Sequence, residues 1–434
     1  QPINKLHKLI SNNYINKLKS NIFLKNVLII ATGTAAGQAI SILAAPVITR
    51  IYTPEDYGIF TTFMAIIGVT GSFSTLRYAV AIPVAENDKL ADNALRLSFF
   101  VTFSLTLLIT FIIFTSGHFL LNLFSATRLS SFLWIIPIAF LGTGTYSALN
   151  FWALRKKNFK TITKAKIYQG AFGAGFKIGL GWIGLRPVGL LIGILAQQLA
   201  GIGSLMLKLI KEEPGFFNHF QKDEILYAAK RFKDFPLYQT WSQILLSLGP
   251  QLPVFFIAAY FGSETVGLYG LAFSMVSIPL NLLGTSVSQV YFAEIAQYGK
   301  NRPDKIFQLS KSIIKKMSLV GIFPLAIIMV FGPYIFSLVF GPEWSDAGIY
   351  ARLLSLMILL RFISSPIMNC LNVLELQWIQ LLLNIIRVII VIITFALCIY
   401  FAMSAKTTIL FYSIAMSIYY GMVTVFTFIL LRNK

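Results

Sequence analysis

Acidic residues are scarce in this 434-residue sequence: 16 Asp and Glu stand against 36 Lys and Arg, a formal net charge of +20. All of them fall in loops or at the ends of apolar stretches, with Glu294 coming closest to the interior of one. The sequence therefore offers no intramembrane carboxylate to bind a cationic substrate together with a proton or sodium ion. Cysteine is almost absent. Cys370 and Cys398 lie near opposite ends of two successive apolar stretches, a separation that argues against a disulfide, and neither has a metal-ligand partner. His7, His118 and His219 are scattered outside those stretches, so no zinc site or catalytic triad can be assembled from them. No GxxxxGK[ST] run occurs, which removes a built-in ATPase, and no cofactor is expected. No cleavable signal peptide opens the chain, and a first residue of Gln1 points to a trimmed native start.

Apolar residues are what the chain has instead. It is 56% hydrophobic and 12% charged, with a mean hydropathy of +0.75. Soluble domains carry about a quarter charged residues, so this is an integral membrane protein. Apolar windows long enough to cross hydrocarbon lie at 26–49, 58–82, 94–115, 130–153, 167–185, 188–207, 237–260, 267–291, 317–339, 349–371, 378–401 and 407–430. The fold class is all-α and membrane-spanning, with about twelve helices.

Charge sets the orientation. Most lysines and arginines fall on one side, in the N-terminal tail, around Lys89 and Arg96, in the 154–166, 208–235 and 293–316 loops, and at Arg432 and Lys434. Only Arg50, Arg128, Arg186 and Lys406 fall on the other, which places both termini in the cytoplasm. Residues 1–25 mix Lys5, Lys8, Lys17 and Lys19 with Ile3, Leu6, Ile10 and Leu18. Such spacing fits an amphipathic helix lying on an anionic leaflet, and a flexible basic tail fits it as well. The surplus of positive charge is read by membrane lipids, and no nucleic-acid partner is expected.

The chain divides into an N-lobe at 26–207, a cytoplasmic linker at 208–235 and a C-lobe at 236–434. Tyr52–Phe63 lines up with Phe261–Ala272, placing Glu55 over Glu264 and Gly58 over Gly267. Two six-span repeats of like orientation follow, related by a pseudo-two-fold along the membrane normal. An offset of about 210 would set Lys177 over Arg387.

Five cations lie inside the spans: Arg77, Lys177, Arg352, Arg361 and Arg387. Each costs about 2.5–3.5 kcal/mol even on the lenient insertion scale. Arg77 and Arg352 sit near span ends, where snorkelling accounts for them, and they are secondary candidates. Lys177, Arg361 and Arg387 sit near mid-span, with no acid to pair with, and should face a wet interior. Unpaired cations at that depth suit a visiting anion, and a phosphate or diphosphate matches guanidinium geometry.

Pro46 in the first span and Gly249, Pro250 and Pro253 in the seventh mark candidate hinges, or static kinks. Gly175-x-x-x-Gly179 and Gly189-x-x-x-Gly193 read as close helix packing. Gln38, Gln239, Gln243, Gln251, Asn150, Asn281 and Asn384 suit a glycan or interhelical hydrogen bonds. The six tryptophans read as an interfacial belt, with Trp152 and Trp241 the candidates for sugar stacking.

Several runs then carry a family likeness: Pro54–Phe60 (PEDYGIF), Leu76–Pro83 (LRYAVAIP), Phe232–Tyr238 (FKDFPLY), Gly249–Val254 (GPQLPV), Val266–Phe273 (VGLYGLAF), Ile278–Phe292 (IPLNLLGTSVSQVYF) and Phe340–Gly348 (FGPEWSDAG). In order and spacing these resemble the bacterial polysaccharide exporters, the flippases of undecaprenyl-diphosphate-linked O-antigen and capsule repeat units. Their superfamily also holds the lipid II flippases and the multidrug and toxin extrusion antiporters. The resemblance implies twelve helices in two lobes, a cationic central cavity and alternating access driven by an ion gradient. It transfers no strict motif onto Lys177, Arg361 or Arg387.

The expected function is transfer of a lipid-linked glycan from the cytoplasmic to the periplasmic leaflet of the bacterial inner membrane. The expected partners are that lipid, the surrounding membrane lipids, a coupling proton or sodium ion, and the polymerase and chain-length proteins of the same route. An ion-coupled multidrug antiporter is the alternative, and the missing buried acids count against it. A membrane glycan polymerase is a third reading; it needs a large charged external loop, and none here exceeds about 15 residues.

Overall fold

The computed structural model describes residues 29–123, 127–218, 221–298, 302–374 and 376–432. The basic segment 1–25 lies outside the described residues. Among those described, all regular structure is helical.

The N-lobe runs α1 (Ile29–Ile51), α2 (Pro54–Thr70), a short α3 (Tyr78–Ala81), α4 (Asp88–Leu123), α5 (Ile135–Arg155), α6 (Phe159–Trp182) and α7 (Val188–Glu212). A linker helix α8 (Lys222–Arg231) leads into the C-lobe: α9 (Thr240–Tyr298), α10 (Pro303–Phe340), α11 (Ser345–Ile367), α12 (Asn369–Val373), α13 (Gln377–Tyr400) and α14 (Ala405–Arg432). Helix α9 is two spans merged across a break at Gly262, whose φ of 81° and ψ of 172° leave helical space where glycine is favoured. Among the described residues, 8 helices are long and apolar enough to cross a membrane, or up to 9 when the bent pair from Pro54 to Val84 is one span. Helices α5 and α6 complete the lobe although their sequences are more polar. Helix α5 packs against α4 and α7, where its Thr143, Ser147 and Asn150 need not face lipid.

Three boundaries differ from those read in the sequence. The 293–316 loop largely disappears, because α9 runs on to Tyr298 and α10 begins at Pro303. Pro303 suits a first helical turn, and Lys305, Lys311, Lys315 and Lys316 continue the helix beyond its apolar part. Helix α6 likewise begins at Phe159 and takes in Lys160, Lys164 and Lys166. Lys177 is therefore not central in its helix but lies five residues before its end, roughly 8 Å at the usual rise. Equivalent helices α6 and α13 start at Phe159 and Gln377, so the repeat offset has grown beyond 210 there. Lys177 and Arg387 consequently do not occupy equivalent positions.

The repeat does meet itself across the lobe boundary. A Cβ on Gly58 would overlap the carbonyl oxygen of Ser263, and one on Gly267 would overlap that of Pro54. Gly58 pairs with Gly267 in the repeat, and Pro54 with Ser263, so each contact is the mirror of the other. Thr61 faces its own counterpart, Gly270, in the same crossing. Such reciprocity places the pseudo-two-fold axis between α2 and the second half of α9. Only glycine lets the backbones approach this closely. At the same end Trp344 donates its indole N–H to the Thr49 carbonyl at 2.9 Å and meets Tyr57 edge-on at 5.6 Å. This is the end poor in lysine and arginine, and the lobes are shut there.

The glycine pair 175/179 is corrected. A Cβ on either would meet nothing within 4 Å, so these glycines face open space. Gly189 and Gly193 do pack closely, against the Tyr52 hydroxyl and the Lys177 stem, and Gly173 against Gln197 and Gly201 against Gln169 join them.

At the lysine-rich end, α8 is fastened to the N-lobe. Arg231 pairs with Glu86 at 2.6 Å, Lys89 with Glu224 at 2.5 Å, and Asn93 donates to Glu224 at 3.0 Å. Arg96 donates to the Phe216 carbonyl at 2.9 Å and lies over the Phe216 ring. The hydrogen bond from Lys89, then that from Asn93, holds the Glu224 carboxyl below its ordinary range. A depressed carboxylate stabilises above its unfolded pKa and loses that contribution as pH falls through the folded one. Limited trypsin digestion at Lys222 and Lys230 should therefore quicken a few-fold in Glu224→Gln at pH 7. An unchanged rate would remove the clamp.

Candidate functional site

A cavity of about 710 Å³ lies between the lobes, within the size range of ligand pockets. Its walls come from α2, the break after α2, α5, α7, both halves of α9, and α11. Thr61, Ser72, Ser74, Thr75, Thr143, Ser147, Ser247 and Ser274 supply hydroxyls, and Gln197, Gln198, Gln243 and Gln251 supply carboxamides. Among the described residues, two charged ones line it, Arg77 from the N-lobe and Arg361 from the C-lobe, and none of the lining residues is acidic.

Arg77 owes its place to a break in the bilayer-spanning part of the chain. Helix α2 ends at Thr70 in the run Gly71-Ser-Phe-Ser-Thr75, whose small polar residues compete with the helix for hydrogen bonds: Ser72 and Ser74 bond the carbonyls three residues back. The chain bends by 51° and resumes at Tyr78. Leu76 and Arg77 have φ of 44° and 63°, a left-handed pair without glycine that costs about 1–3 kcal/mol each. The strain turns the Arg77 guanidinium inward, where its Nε is buried with no hydrogen-bond partner among the described residues. Snorkelling, the sequence-based account of Arg77, is thus replaced. The signal was the breaker run in mid-span.

Arg361 stands where the sequence reading put it, on the cavity wall. Its guanidinium lies 5.7 Å from the Phe273 ring, which stacks on Tyr269 at 5.9 Å and 14°. The aromatic ring attracts the guanidinium without neutralising its charge.

Lys177, Arg387 and Arg352 are not among the lining residues. The Lys177 stem lies on Gly193, its ammonium stands 4.7 Å from the Phe60 ring, and its carbonyl accepts from the Tyr52 hydroxyl at 2.7 Å. Arg387 reaches from α13 to α9 and donates to the Leu246 carbonyl at 3.3 Å. That carbonyl would bond the amide of Pro250, which proline lacks. Gly249 leaves the room, since a Cβ there would stand 2.9 Å from Arg387 Nη2. Arg387→Ala should therefore cost about 1–3 kcal/mol of stability. Adding Pro250→Ala should recover part of it in a thermal-melt assay, whereas no recovery would contradict this assignment. Arg352 is exposed and donates to the Val330 carbonyl at 3.0 Å, beside Pro333.

The hinge candidates remain helical. Pro46 lies within α1, and Gly249, Pro250 and Pro253 lie within α9, whose one non-helical residue is Gly262. Trp152 is fully buried and donates to Glu213, and Trp241 is exposed outside the cavity lining, so neither is placed to stack on a sugar there. Gln243 and Gln251 line the cavity as their residue type suggested. Gln197 and Gln198 join them, missed because they sit in an otherwise apolar helix; Gln198 donates to Thr143 at 2.9 Å while its carbonyl oxygen is buried without a partner. Cys370 and Cys398 are buried and free, and no metal-binding group of His, Cys, Asp and Glu occurs among the described residues.

The fold is that of the multidrug and toxin extrusion transporters. An inward-facing multidrug resistance MATE family transporter of the MOP superfamily superposes with a TM-score of 0.70 at 16% identity, covering 92% of this chain and 97% of that one. Among curated proteins, the teichuronic acid biosynthesis protein TuaB of Bacillus subtilis (strain 168) is 23% identical over 65% of this chain and 57% of its own length. The succinoglycan biosynthesis transport protein ExoT of Rhizobium meliloti (strain 1021) is 22% identical over 75% of this chain and 63% of its own. The chain thus spans less than two thirds of the length of either relative. The family described as polysaccharide biosynthesis protein matches residues 47–349, a stretch that includes both lobes' cavity walls up to the start of α11. This multi-pass membrane protein belongs to the polysaccharide biosynthesis protein family.

Proposed function

We propose that this chain is a flippase for a lipid-linked glycan, moving an undecaprenyl-diphosphate-linked repeat unit from the cytoplasmic to the periplasmic leaflet of the bacterial inner membrane. The observation that carries the reading is the cavity with one arginine from each lobe and no acid among its described lining residues. Two unpaired guanidiniums at the lobe boundary match a diphosphate, each able to give two parallel charge-assisted bonds. The surrounding hydroxyls and carboxamides supply the donors and acceptors that sugars need. No bond is made or broken, so the protein is a transporter and not an enzyme. The names of the two curated relatives, concerned with teichuronic acid and succinoglycan, support this substrate class.

With both termini cytoplasmic, the shut end is periplasmic and the conformation faces inward. The likeness to an inward-facing transporter supports that reading. The headgroup enters from the cytoplasm and binds between Arg77 and Arg361; the lobes then part at the Gly58–Gly267 crossing and close below. A proton or sodium ion drives the return, and the released glycan passes to polymerase and chain-length proteins. A drug–cation antiporter would need a carboxylate facing the substrate, and the described lining residues offer none.

Surface glycan tests the reading. At equal membrane levels, Arg361→Ala should abolish export and Arg352→Ala should not. Normal export in Arg361→Ala would overturn it.

A further inference from the structure

Arg77 follows Leu76 in a left-handed pair, a conformation that persists only where the surroundings over-determine it. Downstream of the pair, the run Tyr78–Ala81 and Ile82–Val84 is far too short to stand as a helix by itself. Its end is also poorly satisfied. Pro83 brings no N–H, Ala85 turns extended with ψ of 141°, and the Ala85 amide reaches the Ile82 carbonyl only at 3.5 Å. One side chain takes up these carbonyls. Arg155, in the last turn of α5, donates from Nη1 to the Ile82 carbonyl at 3.0 Å and to the Ala85 carbonyl at 2.8 Å. Its Nε and Nη2 both donate to Oδ1 of Asp88, the first residue of α4, at 3.1 and 2.9 Å. The Arg155 side chain is 14% exposed and that of Asp88 68% exposed. So open an acid adds little stability of its own, and its effect is to aim Nη1 at the carbonyls. Tyr78, Ala79, Ala81 and Ile82 are buried in one cluster with Leu95 of α4 and Trp152 of α5. A single guanidinium thus ties both helices to the far end of the segment that carries Arg77.

We infer that Arg155 is a positioning residue for the anion site: by holding the Ile82 and Ala85 carbonyls it keeps the Leu76–Arg77 turn wound and the Arg77 guanidinium in the cavity. The assignment deepens the flippase reading and rests on it for the identity of the anion. Arg155 is not among the lining residues, so it reaches the ligand only through the backbone of residues 77–85. Without it the carbonyls lose their donor, the strained pair returns to ordinary backbone, and Arg77 no longer faces Arg361. Lysine is a poor substitute, because one ammonium cannot keep the carboxylate and both carbonyls in the fixed fork of a guanidinium. Lys156, the next residue, carries the same charge but is bonded elsewhere, to Glu213 at 3.0 Å and Asp88 at 3.5 Å. It separates an effect of geometry from one of charge.

A double-mutant cycle read by binding of inorganic pyrophosphate to the full chain in neutral-lipid nanodiscs tests this. Arg155→Ala and Arg155→Lys should each weaken binding about tenfold in the otherwise wild-type chain, but less than about twofold in Arg77→Ala, where the group they position is already gone. Lys156→Ala should stay within about twofold in both backgrounds. Hydrogen exchange of the peptide covering 74–85 follows the segment without any ligand, and it should quicken at least about tenfold in both Arg155 variants while α7 stays unchanged. Should Arg155→Ala fail to fold, Arg155→Lys carries the same comparison. A loss that keeps its full size in Arg77→Ala would show a general structural effect, and an equal loss in Lys156→Ala an effect of charge; either overturns the assignment, as does unchanged affinity. No pyrophosphate binding in wild type would remove the anion reading instead. Exchange at 74–85 then decides the Arg155 contact by itself: quickening keeps it and an unchanged rate overturns it.

Discussion

Replacing Arg77 and Arg361 together by alanine is expected to lower affinity for a diphosphate headgroup at least about 100-fold and to abolish glycan export. A hydrogen bond to a charged group contributes about 1.5–3 kcal/mol net, and every 1.4 kcal/mol is tenfold. Each arginine alone should therefore cost roughly 10- to 150-fold. Lysine should rescue poorly at either position. Its ammonium keeps the charge but cannot give the paired bonds of a guanidinium, and at Arg361 it would stand differently over Phe273. A variant pair with normal affinity, or lysine variants equal to wild type, would mean that the cavity charge serves something other than recognition of an anion.

The second large effect concerns the closed end. Gly58→Val should weaken closure, because its side chain would run into the Ser263 backbone, which has no flexible end to move aside. Overpacking costs about 1–3 kcal/mol, or roughly 5- to 150-fold in the ratio of closed to open. Maleimide added from outside should then react faster with a cysteine placed at Ser72 on the cavity wall, and export should fall. Gly267→Val should behave alike, since the two contacts are related by the pseudo-two-fold axis. Gly175→Val should do neither, because its side chain would enter open space. Equal labelling in all three would show that the crossing is not the gate.

The sequence disclosed the architecture far better than the site, and for a physical reason. Twenty apolar residues leave a composition signal whatever their neighbours, so the membrane-spanning helical class was legible. The repeat was legible where helix packing demands it, at Gly58 and Gly267, and misleading where nothing does, at Lys177 and Arg387. Depth arguments assume that a helix is as long as its apolar window. Helix α6 breaks that assumption by continuing through Lys160, Lys164 and Lys166, which moved Lys177 towards its end. Arg77 ranks only as a secondary candidate in the sequence because it looks terminal. A bend after Thr70, with two consecutive left-handed residues, turns it inward, and no hydropathy window can register that. Arg387 shows the converse error: a half-buried cation need not await a ligand when Pro250, four residues after Leu246, has orphaned the Leu246 carbonyl within its reach.

Calorimetric titration of inorganic pyrophosphate into the purified chain in neutral-lipid nanodiscs tests the central claim most directly. The account predicts saturable 1:1 binding that weakens with salt and is lost in the Arg77→Ala, Arg361→Ala double variant but kept in Lys177→Ala. Binding of equal strength in the double variant, or none in the wild type, would contradict it.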